Sequence, residues 1–577
     1  MKETLKNIKT IYRFGKEYRT ALIFETIGSL LGIAIGIVLP ILSAQLIVHI
    51  TNNSWYQLLY MSLIIFVVQI ISALKTVLIR KNTQKFTVGV TEKLQKQISK
   101  EILKISQTDI DNNSTGVFVQ RMTTDADELA NMFTTGFGRC VGIITSIGTF
   151  ISVFIINKYV FLFYVIVAFT LTTIHLIKSK KYKIKDKEKR KAQEKVTGLT
   201  SELIRGIRDI KMLNAKDSFI KVLNNSIKNK NEKYLEMRNL DIAYNLVIDL
   251  LTALFELLLI GLFIYLISNN MLTVAMAIAL FSYRDRLMSN FMEKISQLLE
   301  EINSFNLSFE RVFALLDNKT YKKEKFGKDE IENIKGDFEF RNVCFSYDDR
   351  IPVLDNINFK VKANSTVGFV GSSGSGKTTI FSLLCKMYDI NSGEILIDNK
   401  NINDLDEDSI RGNITIIGQS PYVFNMSIID NMKLVKENVS IEEVKEACEL
   451  ACLDEYIESL PEKYDTIIGE GGVTLSGGQK QRLAIARALI QKTEIILFDE
   501  ATSALDNETQ RKIQNAINNL KNEYTIMIIA HRFSTILNCD KIFFIDKGKV
   551  VDSGTHEELL KKCKEYKKLY ESEIKQN

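Results

Sequence analysis

The chain has 577 residues, 46% of them apolar and 25% charged, with a formal net charge of +6. That length exceeds what one hydrophobic core supports, so two or more domains are expected, and so small a charge excess does not by itself argue for a nucleic-acid partner. The seven cysteines are odd in number and scattered, which reads as reduced cytosolic thiols and excludes a disulfide framework; Cys448 and Cys452 share a helix face but have no second pair nearby to complete a metal site.

The N-terminal tail carries Lys2, Lys6, Lys9, Arg13, Lys16 and Arg19. It lacks a short apolar core with a small-residue cleavage site, so no cleaved signal peptide is expected. Six apolar runs follow, at approximately 21-48, 57-79, 134-156, 159-177, 243-267 and 272-290. Each approaches the roughly twenty residues that a bilayer-crossing helix needs, and the last is expected to continue as a helix towards residue 316. Three connections between them are short and carry a single Lys, Lys158, whereas residues 178-191 hold nine Lys or Arg in fourteen. The excess of positive charge places the tail and the long connections, about 80-133 and 178-242, in the cytoplasm. At about 1.5 Å per residue the long helices project well past the bilayer, with turning points expected at 106-117 and 202-213.

Ionisable residues inside spans are costly and become functional candidates. Asp249 and Glu256 lie seven apart on one face of the fifth span, and Arg284, Asp285 and Arg286 lie in the sixth. Counted from the outer turn, Glu256 and Arg284 both sit roughly 17 Å deep, so an ion pair of Glu256 with Arg284 or Arg286 is geometrically reasonable. Asp249, Glu256 and Arg284 are the candidates for a polar substrate cavity whose acidic face suits an amphipathic, cationic substrate. A purely structural ion pair is the alternative, and Arg139 of the third span either joins the lining or snorkels.

Residues 318-332 are polar and without apolar periodicity, and read as a linker. The division expected is an all-α transmembrane domain of six helices over 1-317, the linker, and an α/β domain over 333-577, where short strands alternate with charged helices. In that second half an apolar strand, Thr366 to Val370, runs into Gly371-Ser372-Ser373-Gly374-Ser375-Gly376-Lys377-Thr378, and a helix follows from Thr379. This is the phosphate-binding loop pattern: glycines let backbone N–H groups turn onto phosphates, Lys377 adds a charge, and Thr378 offers its hydroxyl to Mg²⁺. Two further apolar runs read as buried central strands, one ending in Asp499-Glu500 and the other in His531. The carboxyl ends of such strands carry ligands; Asp499 is placed for Mg²⁺ and Glu500 to take a proton from an attacking water.

With these residues in place, Leu475-Ser476-Gly477-Gly478-Gln479-Lys480-Gln481-Arg482 resembles the signature motif of ATP-binding cassette proteins. The resemblance covers essentially the whole chain and is to half-transporters of the multidrug, lipid and peptide exporter group. It implies that Tyr347 stacks on adenine and that residues 371-379, Gly371 to Thr379, hold the phosphates. It further implies that Gln419 resembles the Q-loop and joins Thr378 and Asp499 around Mg²⁺, that Glu500 is the general base, and that His531 contacts the γ-phosphate. Ser476, Gly477, Gly478 and Gln479 would serve ATP bound by a second subunit. An intact Glu500, His531 and signature argue for a homodimer with two active sites rather than a heterodimer, and no room is left before residue 21 for a peptidase domain. The function implied is ATP-driven export of an amphipathic drug, lipid or peptide across the plasma membrane, with both termini and the ATPase domain cytoplasmic and no nucleic-acid partner. Import by the same architecture, or a cassette ATPase without transport, are the alternatives.

Overall fold

The computed structural model describes residues 2–287, 291–317, 320–331, 334–348, 351–469, 471–501, 507–519, 523–530 and 532–574. The chain divides into two compact units. One holds Met1–Leu103 and Thr115–Thr320, the other Lys104–Ser114 and Tyr321–Asn577.

The first unit consists of helices joined by turns, with no strand among its described residues. In chain order it contains α1 (Lys2–Phe14), α2 (Arg19–Thr51) and α3 (Trp55–Ile102); α4 (Gln107–Asp111) intervenes and belongs to the second unit. There follow α5 (Thr115–Gln120), α6 (Ala126–Asn131), α7 (Phe137–Ile156), α8 (Lys158–Arg205), α9 (Ile207–Met212), α10 (Lys216–Ser268), α11 (Val274–Ser282) and α12 (Phe291–Leu316). Two π-helical turns, Arg121–Asp125 and Met132–Gly136, splice α5, α6 and α7 into one 42-residue helix.

Five helices among the described residues are long and apolar enough to cross a membrane: Lys16–Ile50, Trp55–Ile102, Thr115–Ile156, Lys158–Arg205 and Lys216–Ser268. Their flanks leave Leu59, Leu63, Phe66, Leu74 and Phe169 more than half exposed, an apolar surface that water does not tolerate over such lengths. The sixth expected span falls on α11, which stops at Ser282; Tyr283 is a turn, and 288–290 lie outside the described residues. Side-chain anchoring at this point explains the departure from the continuous helix expected. Tyr283 donates its hydroxyl to the Ile37 carbonyl at 2.6 Å, Arg284 pairs with Glu256, and Arg286 donates to the Gly36 carbonyl. The interior of this unit is made by Val153, Val160, Tyr164, Leu171, Leu259, Phe263 and Leu280. Asn157 caps α8 by accepting from the N–H groups of Tyr159 and Val160, so this single residue suffices between α7 and α8.

The second unit is built on two main sheets, with a further two-stranded one, Met426–Ser427 and Ile467–Ile468, among its described residues. The six-stranded sheet runs in the order Lys549–Gly554, Lys541–Asp546, Thr366–Val370, Thr525–Ile529, Ile495–Asp499, Ile414–Ile417. All its neighbours are parallel except the outermost pair, Lys541–Asp546 with Lys549–Gly554. Thr366–Val370, Thr525–Ile529 and Ile495–Asp499 are buried at every position, as expected of strands covered on both faces. A four-stranded antiparallel sheet, Leu354–Val361, Phe338–Phe345, Ser392–Ile397, Lys400–Asn401, lies beside it. Phe340, Phe359, Phe369, Phe381 and Phe543 stack into the core that covers one side.

Residues 321–331, which the sequence reads as linker, are not a free tether within this unit. Ile105 and Lys323 form an antiparallel bridge, Ser106 donates to the Lys322 carbonyl at 2.9 Å and Glu324 to the Lys104 carbonyl at 2.9 Å. Arg411 fastens the same stretch with two bonds of 2.8 Å to Glu324, and its guanidinium lies over the Phe326 ring. Glu324 is 14% exposed at its side chain, so removing its partner leaves a largely desolvated carboxylate. Arg411→Ala is therefore expected to destabilise this unit by about 2 kcal/mol, read as a fall in the thermal midpoint of the full chain in detergent, whereas Arg411→Lys restores only part of it because the bidentate fork is lost.

Candidate active site

The strand Thr366–Val370 delivers the chain to Gly371 at the carboxyl edge of the six-stranded sheet, and the helix Lys377–Leu384 carries it away. Between them the backbone reverses tightly. A Cβ on Gly371 would lie 1.9 Å from the Ile545 carbonyl oxygen, and Gly376 sits at φ +99° with the Leu354 side chain 2.5 Å from where its Cβ would be. Neither position admits a side chain, for steric reasons at the first and conformational ones as well at the second.

Lys377 is 5% exposed, and its ammonium donates to the carbonyls of Gly371 at 3.0 Å and Ser372 at 2.9 Å, with the Ser375 hydroxyl at 3.4 Å. Burial pushes its pKa below the ordinary lysine value, and the nearby carboxylates of Glu500 and Asp499 pull the other way. The loop is thus wound around its own cation, leaving Ser372, Ser373, Gly374 and Thr378 exposed on the outer side and Thr379 buried.

Across the loop lies the end of Ile495–Asp499. Asp499 is 6% exposed and accepts from the Thr378 hydroxyl at 3.2 Å. A hydroxyl and a carboxylate meeting at a helix N-terminus form a hard-oxygen donor set of the kind Mg²⁺ takes alongside phosphate and water. Glu500, the next residue, has φ +52°, a left-handed backbone that costs a non-glycine residue about 1–2 kcal/mol. Its N–H is fixed to the Ile529 carbonyl at 3.0 Å. The Gln419 side-chain amide donates to the Glu500 carboxylate at 2.7 Å, so the expected base and the expected Q-loop residue meet directly. In this conformation the Gln419 side chain holds Glu500.

One residue that the sequence reading quoted without a role belongs to this cluster. Gln481 is 1% exposed and donates its amide to the Gln419 carbonyl at 3.2 Å. It lies on the buried side of the same helix as Leu483, Ile485, Ala488 and Ile490, and its polar side chain gave the sequence no sign of a partner 62 residues away. The helix is Gly477–Gln491, and Ser476 begins it with a capping box: Ser476 accepts from the Gln479 N–H, and Gln479 accepts from the Ser476 N–H. Ser476 and Gly477 are exposed and Gly478 half-buried, so the first turn of the helix presents unused N–H groups outward. Tyr347 is 47% exposed, its hydroxyl 3.0 Å from that of Thr379. His531 lies outside the described residues.

In the helical unit, Arg284 Nε donates to Glu256 at 2.8 Å, the guanidinium resting over the Phe281 ring. Asp249 is exposed on the same helix, α10. Arg139 engages Glu301 at 2.7 Å and also Gln297.

Comparison with known proteins gives the following. Residues 22–291 match the family profile described as "ABC transporter transmembrane region", and residues 354–503 the one described as "ABC transporter". The chain is 33% identical over 497 residues to the ATP-dependent lipid A-core flippase of Haemophilus influenzae, spanning 83% of this chain and 81% of that protein. The proteins of the same name from Salmonella typhimurium and Escherichia coli K12 are each 32% identical, over 81% of this chain and 80% of theirs. A bacterial Atm1-family ABC exporter with ATP bound has a similar fold, with a TM-score of 0.83 and 23% identity over 96% of this chain and 99% of that one.

The Lys377 geometry makes a direct prediction. Lys377→Ala removes the only cation seated within the loop among the described residues, and the affinity for a fluorescent ATP analogue is expected to fall at least about tenfold, about 1.4 kcal/mol or more. An unchanged affinity in a folded variant would remove Lys377 from the site.

Proposed function

The chain belongs to the ABC transporter family, and from that membership we propose that it is one half of an exporter that hydrolyses ATP to move an amphipathic substrate outward across the plasma membrane. The observation that carries the reading is the meeting of Glu500 and Gln419 at 2.7 Å beside the Lys377 loop and the Thr378–Asp499 pair, in a chain that also contains long apolar helices. The lipid A-core flippases support a lipid-like substrate, since one of them is 33% identical to this chain over 83% of its length.

Each residue has a task that its surroundings support. The loop amides and Lys377 bind the β- and γ-phosphates by charge-assisted hydrogen bonds. Thr378 and Asp499 would hold Mg²⁺, which when bound neutralises charge developing on the phosphate oxygens. Glu500 accepts the proton of the attacking water, its carboxylate aimed by the left-handed backbone at that residue. Gln419 must release Glu500, or share it with that water, before the proton can move. His531 is assigned to the γ-phosphate on its sequence position.

The exposed first turn at Ser476, Gly477 and Gly478 would complete the site of a second copy, so the working unit is a homodimer with two equivalent sites. ATP binds only the closed pair well, which shifts the population towards closure, and hydrolysis releases it. Both termini and the ATPase unit lie in the cytoplasm on the charge asymmetry of the connections. In the membrane the Glu256–Arg284 pair supplies a polarised surface, and Asp249, which has no ion pair among the described residues, offers the acidic contact for substrate.

Two measurements decide the proposal. Glu500→Gln keeps the amide contact to Gln419 possible but removes the base; nucleotide affinity is expected to persist while steady-state hydrolysis falls by about 10²-fold or more, and wild-type turnover would refute the assignment. In lipid nanodiscs, the ATPase rate of the wild type is expected to rise with amphipathic lipids or peptides. Asp249→Asn should blunt that stimulation while leaving the unstimulated rate within about twofold, below the 1 kcal/mol scale of a lost contact.

A further inference from the structure

Asp111, at the end of α4, accepts a hydrogen bond from the Tyr388 hydroxyl at 2.7 Å. Both residues lie in the second unit. The other Asp111 oxygen accepts from Gln107 at 2.8 Å, so the carboxylate is held at both ends. The Tyr388 ring stands edge-on to Tyr347, centroids 5.1 Å apart at 88°, and Phe345 closes the cluster against Tyr347 at 4.9 Å and Tyr388 at 5.8 Å. The Tyr347 hydroxyl in turn reaches Thr379 of the loop helix. An unbroken series of contacts therefore runs from α4 through two tyrosines to the residue after Thr378.

We propose that Tyr388 is a positioning residue for the base of the nucleotide, and that Asp111 sets it, so that recognition of the base is coupled to α4. The proposal rests on the reading of Tyr347 as the ring that meets the base. Three features argue for it. Tyr347 is nearly half exposed, and a lone exposed ring would sample several orientations; the perpendicular contact with Tyr388 selects one, with the positive ring edge against the negative face. Burial first, then Asp111, raises the Tyr388 pKa far above the ordinary tyrosine value, so the phenol stays protonated and its bond to the carboxylate is always donated. Finally, α4 is fixed from behind: Ile105 is 1% exposed, the backbone of 104–106 pairs with 322–324, and Asp109 accepts from the Lys322 N–H.

α4 follows α3 in the chain after four residues, and α3 is one of the membrane-crossing helices. A displacement of α3 reaches Tyr347 through Asp111 and Tyr388 without passing through the phosphates. Reciprocity requires that occupancy of the base site bias α4 by the same free energy.

The test compares ATP with inorganic triphosphate, which offers the loop the same phosphates and Tyr347 nothing. The full chain is measured in nanodiscs with Glu500→Gln as background, to prevent turnover. Tyr388→Phe, which keeps the ring, and Asp111→Ala are each expected to weaken ATP three- to tenfold and to leave triphosphate within twofold, and the double variant is expected to lose no more than the worse single one. In the Glu500→Gln background alone, ATP but not triphosphate should slow amide exchange across residues 106–112. Unchanged ATP affinity in the variants, an equal loss for triphosphate, multiplied losses in the double variant, or the same exchange with both ligands would each overturn the coupling. A background protein that binds triphosphate and ATP equally would instead overturn the reading of Tyr347 itself, and one that binds neither would overturn the nucleotide site.

Discussion

The ammonium of Lys377, folded back onto the carbonyls of Gly371 and Ser372, is the interaction on which the rest of the second unit depends. A cation that is 5% exposed cannot stay charged without oxygen partners, and here the loop supplies them from its own backbone. This is possible only because the loop closes tightly, which in turn requires Gly371 to pass within van der Waals reach of Ile545 and Gly376 to adopt a left-handed turn. The loop is tight because the strand feeding it is immobile, buried at all five positions between two parallel neighbours. Sequence, strand burial, loop closure and charge placement are thus one constraint seen at four levels.

The same constraint explains why the acidic residues sit where they do. Ile495–Asp499 and Thr525–Ile529 are in register, Ile529 opposite Asp499, so the strand end is fixed to within a residue. Asp499 still points at Thr378, while Glu500 turns over into left-handed backbone and faces Gln419. Two adjacent carboxylates acquire different surroundings from one backbone reversal, which is what separate roles in metal binding and proton transfer require. Gln481 ties the backbone of Gln419 to the helix that begins at Ser476, so the outward-facing first turn and the Glu500 contact move as neighbours.

Much of this was legible in the sequence, for definable reasons. The loop, the two acidic residues and the signature helix are local patterns, each written in fewer than ten consecutive residues, and the capping box at Ser476 and Gln479 is visible as S-x-x-Q. The buried strands at 495–498 and 526–530 announce themselves as continuous apolar runs. What escaped is long-range. The contact of Gln419 with Glu500 spans 81 residues, the fastening of 321–331 by Arg411 spans 87, and the break at Tyr283 answers to a carbonyl 246 residues earlier. No periodicity encodes partners at such separations. The stretch 321–331 looked like linker because it is polar, yet polar side chains say nothing about whether backbone N–H and C=O groups find partners.

The membrane half poses the converse problem, where side-chain charge and backbone are both expensive to leave unsatisfied. Glu256 and Arg284 are each about a third exposed at the side chain in the isolated chain, and neither belongs in hydrocarbon alone. Paired at 2.8 Å with Phe281 against the guanidinium, and with Asp285 3.6 Å from the same Arg284 nitrogen, they cost far less than separate charges. Arg286 solves its own problem differently, by donating to the Gly36 carbonyl of α2. Asp249 has neither solution among the described residues. A carboxylate exposed on a membrane-crossing helix is costly against lipid, and water, a second copy of the chain or a cationic group would each lower that cost.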